Sequence, residues 1–328
     1  MTPLFLGIDT SNYTTSAALA GSDGRIFLNC RIPLPVKEGE RGLRQSDAVF
    51  HHVKNLPEAA RAVGDALNSA EDGTLLAAGV SSVPRDAEGS YMPCFLSGVS
   101  AAEMAANVRG IPLYRFSHQA GHVMAAVGSV SAEEGDFRSA LDRWLNGPFL
   151  AFHVSGGTTD LLLVRPDEEK IFSVERIGGS KDINGGQAVD RTGVRMGLSF
   201  PAGRAMDEAA LAYGGKIPKA KISVDGASCC LSGLENRAAA LWEECGDRGA
   251  VSAFTLDFLA RTLAAMAENA RREYGDLPVL FAGGVMSSVY VRRILSPLGR
   301  FADAAFSSDN AAGIALLTAE RYRRQHEL

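Results

Sequence analysis

Residues Phe149 to Val164 read Phe-Leu-Ala-Phe-His-Val-Ser-Gly-Gly-Thr-Thr-Asp-Leu-Leu-Leu-Val, two apolar runs of β type joined by a turn of small and hydroxyl residues. Gly156 and Gly157 can adopt φ > 0 and let a ligand approach the backbone. Ser155, Thr158 and Thr159 set hydroxyls beside the exposed N–H groups, which together make a natural cradle for phosphate. The plainer alternative is an ordinary β-hairpin, because glycine-rich turns between apolar runs are common. A second copy stands near the start of the chain. Leu4 to Asp9 is an apolar strand, Thr10-Ser11-Asn12-Tyr13-Thr14-Thr15 a hydroxyl-rich turn, and Ser16 to Ala20 another strand. Such an internal repeat says more about the fold than either copy alone.

At 328 residues the chain exceeds what one core usually supports, so two lobes are expected. Hydrophobic content of 46 %, charged content of 22 % and 35 glycines fit a soluble globular protein rich in turns. The longest apolar runs break well short of the ~20 residues a membrane span needs, and no basic region precedes the first strand. The chain therefore reads as cytoplasmic, with no membrane partner. Five cysteines, without zinc-site spacing at Cys229-Cys230, read as reduced thiols. The net charge of −5 argues against broad electrostatic binding of nucleic acid. Arg321, Arg323 and Arg324, and separately Arg292, Arg293 and Arg300, form local basic clusters, although charge runs are more often solvated helix faces.

Further along, Ser46 or Asp47 can cap a helix whose apolar face is Val49, Val53, Leu56, Ala60 and Val63, with Pro57 expected to kink or split it. Ser117 can cap a helix beginning His118-Gln119-Ala120-Gly121-His122. The i to i+4 spacing puts both imidazoles on one face, where they can share a metal, although capping or core roles are open to either. Gly178 to Gly186 reads as a glycine-rich loop before a helix from Ala188 to Met196. Val279 to Ala282 is a short buried strand that enters Gly283-Gly284-Val285 and a helix capped by Ser287 or Ser288, a third phosphate-type or nucleoside-type site. Ser307-Ser308-Asp309-Asn310 precedes the last helix, and Asp309 is its obvious N-cap.

Two strand-turn-strand clamps and a Gly-Gly strand end resemble the α/β fold shared by actin, sugar kinases and heat-shock chaperone ATPases, the ASKHA fold. That resemblance implies two lobes, each a mixed β-sheet with flanking helices, and a nucleotide cleft between them. Residues 1–130 plus 305–328 would form the first lobe and 131–304 the second. A finer likeness lies in Gly7-Ile8-Asp9-Thr10-Ser11, His118-x-x-x-His122, Val154-Ser155-Gly156-Gly157, Asp190-x-Thr192 leading to Pro201-Ala202-Gly203, Ser232-Gly233-Leu234, Gly283-Gly284-Val285 and Ser308-Asp309-Asn310-Ala311-Ala312. These occur in the order and spacing of the tRNA threonylcarbamoyladenosine transferase family, TsaD in bacteria, formerly called glycoproteases. The resemblance covers about residues 4 to 320.

The resemblance implies an acyl transfer in which a threonylcarbamoyl group passes from its adenylate to N6 of a tRNA adenosine. It implies His118, His122 and Asp309 as ligands of a divalent metal, whether iron, zinc or magnesium. Ser155, Gly156, Gly157 and Thr158 become the catalytic loop on the phosphate and acyl group. Asp9, Ser11, Asp190, Gly203, Asp207, Gly283, Gly284 and Ser288 become contacts to an adenine nucleotide or threonylcarbamoyl-adenylate. The implied partners are tRNA and a protein homologous to the family's accessory subunits, and a dimer is compatible with the pattern. A protease is disfavoured, since the residue after the first histidine is Gln119 and not the glutamate base of a His-Glu-x-x-His enzyme.

The chain also departs from the family. Asn12 and Tyr13 replace an acidic pair, Thr158 a histidine, Glu235 a lysine and Ser288 an asparagine. Ser90-Tyr91-Met92-Pro93-Cys94-Phe95 and Arg41-Gly42-Leu43-Arg44-Gln45-Ser46 replace two further family segments. These changes spare the metal ligands and cluster at acceptor and catalytic positions. The alternatives to a tRNA transferase are therefore a non-catalytic or regulatory adenine-nucleotide-binding paralogue, or a carbamoyl transferase with another acceptor.

Overall fold

Both strand-turn-strand repeats are antiparallel hairpins in the computed structural model, which describes residues 2–11, 13–35, 43–70, 72–303 and 311–326. The chain runs through β1 (Thr2–Asp9), β2 (Thr14–Gly21), β3 (Ile26–Pro33), α1 (Gln45–Ser69), β4 (Gly73–Val83), α2 (Phe95–Arg109) and β5 (Leu113–Ser117). Helices α3 (His118–Ala132) and α4 (Phe137–Leu145) follow, then strands β6 (Phe149–Val154), β7 (Thr159–Asp167) and β8 (Ile171–Ser180). Next come α5 (Gly185–Arg195), α6 (Gly203–Ala212), β9 (Ser223–Asp225), β10 (Ser228–Cys230), α7 (Ser232–Cys245) and α8 (Arg248–Tyr274). The described chain closes with β11 (Val279–Ala282), α9 (Val289–Leu295), β12 (Arg300–Phe301) and α10 (Ala311–His326).

One sheet has the order β3-β2-β1-β4-β5 and the other β12-β11-β6-β7-β8-β10-β9. In the first, β1 is antiparallel to β2 and parallel to β4. In the second, β6 is antiparallel to β7 and parallel to β11. The repeat seen in the turns is thus a repeat of topology, and both sheets are mixed, as expected. The chain divides into two compact units, one of residues 1–147, 165–174 and 306–328 and one of residues 148–164 and 175–305. A boundary after residue 130 would cut α3, which continues to Ala132.

In the first unit, α10 lies against β1, β2 and β4 and against α3. The approach is close enough that a Cβ at Gly7 would overlap the backbone of Ala311 and Ala315, one at Gly79 the side chain of Thr318, and one at Gly313 the carbonyl of Gly121. Larger residues there would lift the helix off the sheet, so the contact itself requires glycine.

Helix α1 corrects two expectations. Pro57 does not split it: the helix continues from Gln45 to Ser69, and Pro57 and Val53 face solvent, where water can take the carbonyl that the missing N–H leaves open. The buried stripe is Ala48, His52, Ala59 and Val63, while Val53 is 55 % exposed. Val53, Phe50, Leu96, Met104 and Val108 instead form an exposed apolar face on α1 and α2.

His52 explains the rotation, since it is fully buried against β2. Asn55 Nδ2 donates to Thr15 Oγ1 at 3.3 Å, and Thr15 Oγ1 lies 2.8 Å from His52 Nδ1. With the threonine proton on Nδ1, the imidazole carries its own proton on Nε2, which has no partner among the described residues. Burial pushes the His52 pKa down to about 4, helped by His51 and opposed by the Asp9 carboxylate. A depressed imidazole pKa favours the neutral folded form, so this stabilisation is present above the unfolded value near 6.5 and is lost as pH falls through 4. The full loss is about 3 kcal/mol. Urea midpoints of the protein should fall more steeply between pH 6.5 and 4 than those of His52→Leu, and equal pH dependence in the two would refute the assignment.

The second unit is built around α8, whose buried residues include Val251, Phe254, Phe258, Leu259 and Met266. By length and composition it is long and apolar enough to cross a membrane, contrary to the sequence expectation, but 78 % of its apolar window is buried within the protein. It is the core helix. The stretch 178–186 is not a loop throughout: β8 runs to Ser180 and α5 begins at Gly185, leaving only four residues between them. None of the five cysteines is in a disulfide, and burial pushes the Cys229 thiol up to about 12.

Candidate functional site

In the first unit β1 ends at Asp9 and β5 runs directly into α3, so the turn after β1 and the first turn of α3 supply one cluster. Ser117 caps α3 by accepting from Ala120 N at 3.1 Å and is itself 3.1 Å from Asp86 Oδ2. The cap fixes where His118 starts the helix, and His122 follows one turn later on the same face. His118 Nδ1 lies 2.7 Å from Asp9 Oδ2, and the two Nε2 atoms of His118 and His122 lie 2.8 Å apart.

Asp9 is buried, and its other oxygen accepts from Ser11 N at 2.7 Å. Burial alone would raise its pKa, but the His118 imidazole and the Ser11 hydrogen bonds outweigh burial and hold the carboxyl well below the usual carboxylate range. Both oxygens are therefore engaged within the first unit, a local role that the expected nucleotide contact did not include. Asp9 orients His118. Ser11 is also buried and closes the same turn by accepting from Thr14 N at 3.2 Å.

This donor set fits a divalent ion. A carboxylate on Nδ1 sets the imidazole tautomer that leaves Nε2 as the ligating nitrogen, the usual outer-shell arrangement at histidine metal sites. Among the described residues no group of three or more His, Cys, Asp or Glu side chains is placed to hold a metal. Asp309, the third expected ligand, lies outside the described residues, as do Asn12, Arg41 and Gly42. The chain is described again from Ala311, where α10 packs on Gly121 between the two histidines.

In the second unit, the turn from Ser155 to Thr158 is closed by Ser155 N donating to Thr158 O at 2.8 Å. Ser155 Oγ accepts from Thr158 N at 3.1 Å and Gly157 N at 3.3 Å, so the expected cradle donors are turned onto their own serine. Space around Gly156 and Gly157 is open. The N-terminus of α5 docks on this turn: Gly186 N donates to Ser155 O at 3.1 Å, and a Cβ on Gly186 would meet Gly156 N at 2.6 Å. Asn184 and Gln187 form a capping box there, with Asn184 N donating to Gln187 Oε1 at 3.1 Å.

Beside the turn is a cavity of about 450 Å³ whose lining includes Gly156, Asp190, Gly203, Asp207, Gly284 and Ser288. This volume is in the range of small-molecule sites. Asp190 Oδ1 accepts from Ala202 N at 2.8 Å, and among the described residues Oδ2 has no partner. Asp207 behaves differently. Ser288 Oγ donates to its Oδ1, as does Tyr290 N at 3.0 Å, while Val289 N donates to Oδ2 at 3.0 Å. Ser288 Oγ in turn accepts from Val291 N at 3.1 Å. Asp207 and Ser288 thus cap α9 from within the lining, a local role that their expected nucleoside contacts did not include. Gly283 has φ 103° and backs against the Val154 backbone, whereas the positions beside Gly203 and Gly284 are open.

Sequence reasoning missed Asp182. Its oxygens accept from Ile183 N and Leu231 N, each at 2.7 Å, and from Ser232 N at 3.0 Å, fixing the start of α7. Burial would raise its pKa, but Ser232 and the backbone N–H groups hold the carboxyl well below its usual value. An acidic residue inside a stretch read as a glycine-rich loop gave no sign of this distant cap.

Two mixed sheets of repeated order and a cavity beside a glycine turn define the ASKHA class, and solved structures agree at the level of fold. Component A of (R)-2-hydroxyglutaryl-CoA dehydratase from Acidaminococcus fermentans matches with a TM-score of 0.52 at 13 % identity, covering 97 % of this chain and 98 % of its own. HypF in its phosphate- and nucleotide-bound form matches with 0.57 at 11 % identity, over 99 % of this chain and 56 % of its own. The sequence is more specific. Residues 46–316 match the family TsaD, tRNA N6-adenosine threonylcarbamoyltransferase, and the chain belongs to that family. The tRNA N6-adenosine threonylcarbamoyltransferase of Streptococcus suis (strain 05ZYH33) is 30 % identical over 98 % of this chain and 94 % of its own length. That of Streptococcus pneumoniae (strain Hungary19A-6) is 31 % identical over 89 % and 82 %.

Proposed function

We propose that this protein transfers a threonylcarbamoyl group from threonylcarbamoyl-adenylate to N6 of an adenosine in tRNA, a reaction of the cytoplasm. The supporting observation is the family match over residues 46–316, which spans the histidine pair, the glycine turn and the cavity lined by Asp190. In the reaction N6 attacks the carbamoyl carbon, the bond from that carbon to the phosphate oxygen breaks, and AMP leaves with the electron pair while N6 gives up a proton.

The residues divide this work. Asp190, held at one oxygen by Ala202 N, has its second oxygen for a ribose hydroxyl. Gly203 and Gly284 leave room for the nucleoside, and Gly156 and Gly157 let the acyl phosphate come against the backbone. Ser155 Oγ, now accepting from Gly157 N and Thr158 N, keeps those two amides aligned until an anion replaces it. In the first unit His118 and His122, together with Asp309, would hold a divalent ion, and Asp9 keeps the His118 proton on Nδ1. A bound divalent ion supplies polarisation of the carbamoyl oxygen.

Asp190→Ala should weaken adenine-nucleotide binding by about 1.5 to 3 kcal/mol, the cost of losing a hydrogen bond to a charged group. Calorimetry that finds equal affinity in the variant and the parent would remove Asp190 from the nucleotide site. The reading as a whole is tested by incubating the protein with threonylcarbamoyl-adenylate, a divalent metal and unmodified tRNA transcript, with and without the family's accessory proteins. Mass spectrometry of the digested RNA should show N6-threonylcarbamoyladenosine. Nucleotide binding without any modified nucleoside would instead support the regulatory paralogue, a reading motivated by Thr158 and Glu235 where the family has histidine and lysine.

A further inference from the structure

A second concavity of about 710 Å³ adjoins the first on the second unit and shares Gly156 and Asp190 with it. Gln187, Arg191, Val194, Arg195 and Phe200 supply the rest of its lining. Phe200 is 76 % exposed and Val194 51 %. A single exposed aromatic is ordinary on a protein surface. This one stands at the rim of a concavity that also reaches the glycine turn, beside two guanidinium groups.

Arg191 and Arg195 are four residues apart on α5, hence on one helical face. Arg191 pairs with Glu235 at 3.2 Å and keeps half its side chain exposed. Arg195 has no ion-pair partner among the described residues. The face therefore offers cations and an aromatic ring next to each other, the combination that takes an unpaired nucleotide, with phosphate on the guanidinium and base on the ring. The alternative source of affinity, a broad basic surface, is not available to a chain of net charge −5. Geometry adds a reason. An acceptor must reach a group held at the 155–158 turn without displacing the nucleoside, and this concavity touches Gly156 from outside the cavity lined by Gly203 and Gly284.

We infer that the concavity bordered by Phe200, Arg191 and Arg195 is the docking face for a single-stranded RNA loop, with a base stacked on Phe200 and phosphates on the two arginines. The inference rests on the tRNA reading above. The test uses the full-length protein and a fluorescent, unmodified anticodon stem-loop RNA, followed by anisotropy across a salt series, with calorimetry of AMP in parallel. Phe200→Ala should bind the RNA roughly tenfold more weakly, the size of one lost base–aromatic stack. Phe200→Trp should restore binding, and Arg195→Gln should reduce the slope of log affinity against log salt by about 0.7. AMP affinity should be unchanged in all three variants.

If the parent binds the stem-loop and Phe200→Ala binds it equally well, this face is not the docking face and the transferase reading stands. A loss in Phe200→Ala that Phe200→Trp fails to restore also overturns the stacking. If the parent binds AMP but neither the stem-loop nor whole tRNA, the inference falls together with the reading beneath it.

Discussion

His118→Ala and His122→Ala are each expected to bind a divalent ion at least about tenfold more weakly than the parent, a lower bound taken from what loss of an outer-shell partner costs. The geometry behind this is the Nε2 pair 2.8 Å apart with Asp9 on the far side of His118. Asp9→Asn should itself cost about 10- to 100-fold, because an amide can turn either its oxygen or its NH₂ toward Nδ1 and no longer fixes the tautomer. Asp309→Asn is the decisive variant. Asparagine caps a helix as well as aspartate does but is a poor ligand, so metal content should fall while the helix is kept. Full metal content by elemental analysis in Asp309→Asn, with loss in both histidine variants, would show that the ligand set of His118, His122 and Asp309 is wrong.

Gly283→Ala is expected to destabilise the protein by about 4 kcal/mol, combining about 1–3 kcal/mol for a backbone region open almost only to glycine with a similar amount for overpacking. Its φ of 103° and ψ of 160° fall in that region, and the added Cβ would overlap the carbonyl of Val154. The neighbouring Gly284 is the control. Nothing lies near its Cβ position, so Gly284→Ala should stay within about 1 kcal/mol of the parent. Urea unfolding reads both, and a Gly283→Ala midpoint close to that of the parent would count against the close packing of this turn on β6. Because Val154 immediately precedes Ser155, the strain would also reach the turn from Ser155 to Thr158.

What could be read from the sequence was local. Glycines and hydroxyls between β-type runs gave both hairpins, and the spacing of His118 and His122 gave their shared helical face. The Asp9–His118 contact spans 109 positions and is made by β1 and β5 being aligned through β4 in one sheet, which no local pattern encodes. The capping role of Asp207 was hidden for the opposite reason. A carboxylate near a nucleoside motif suggests a ligand contact, yet the nearest demand on it is the uncapped start of α9, 82 residues away. On α1 the periodicity of valine and leucine chose the wrong stripe, because a buried hydrogen bond from Thr15 to His52 turns the helix toward its smaller residues.

The seating of α10 on β1 also constrains the order in which the protein can mature on the ribosome. Gly7 meets Ala311 and Ala315, so the first strand waits for a partner made about three hundred residues later, roughly 15 to 60 s at ordinary rates of synthesis. Most of the second unit, from 148 to 305, is translated within that interval and can condense around α8 first. The nascent β1–β2 hairpin meanwhile exposes the apolar side that α10 will cover. Chaperone occupancy during translation is therefore expected to be highest on the earliest part of the chain and to end only when the last helix has emerged.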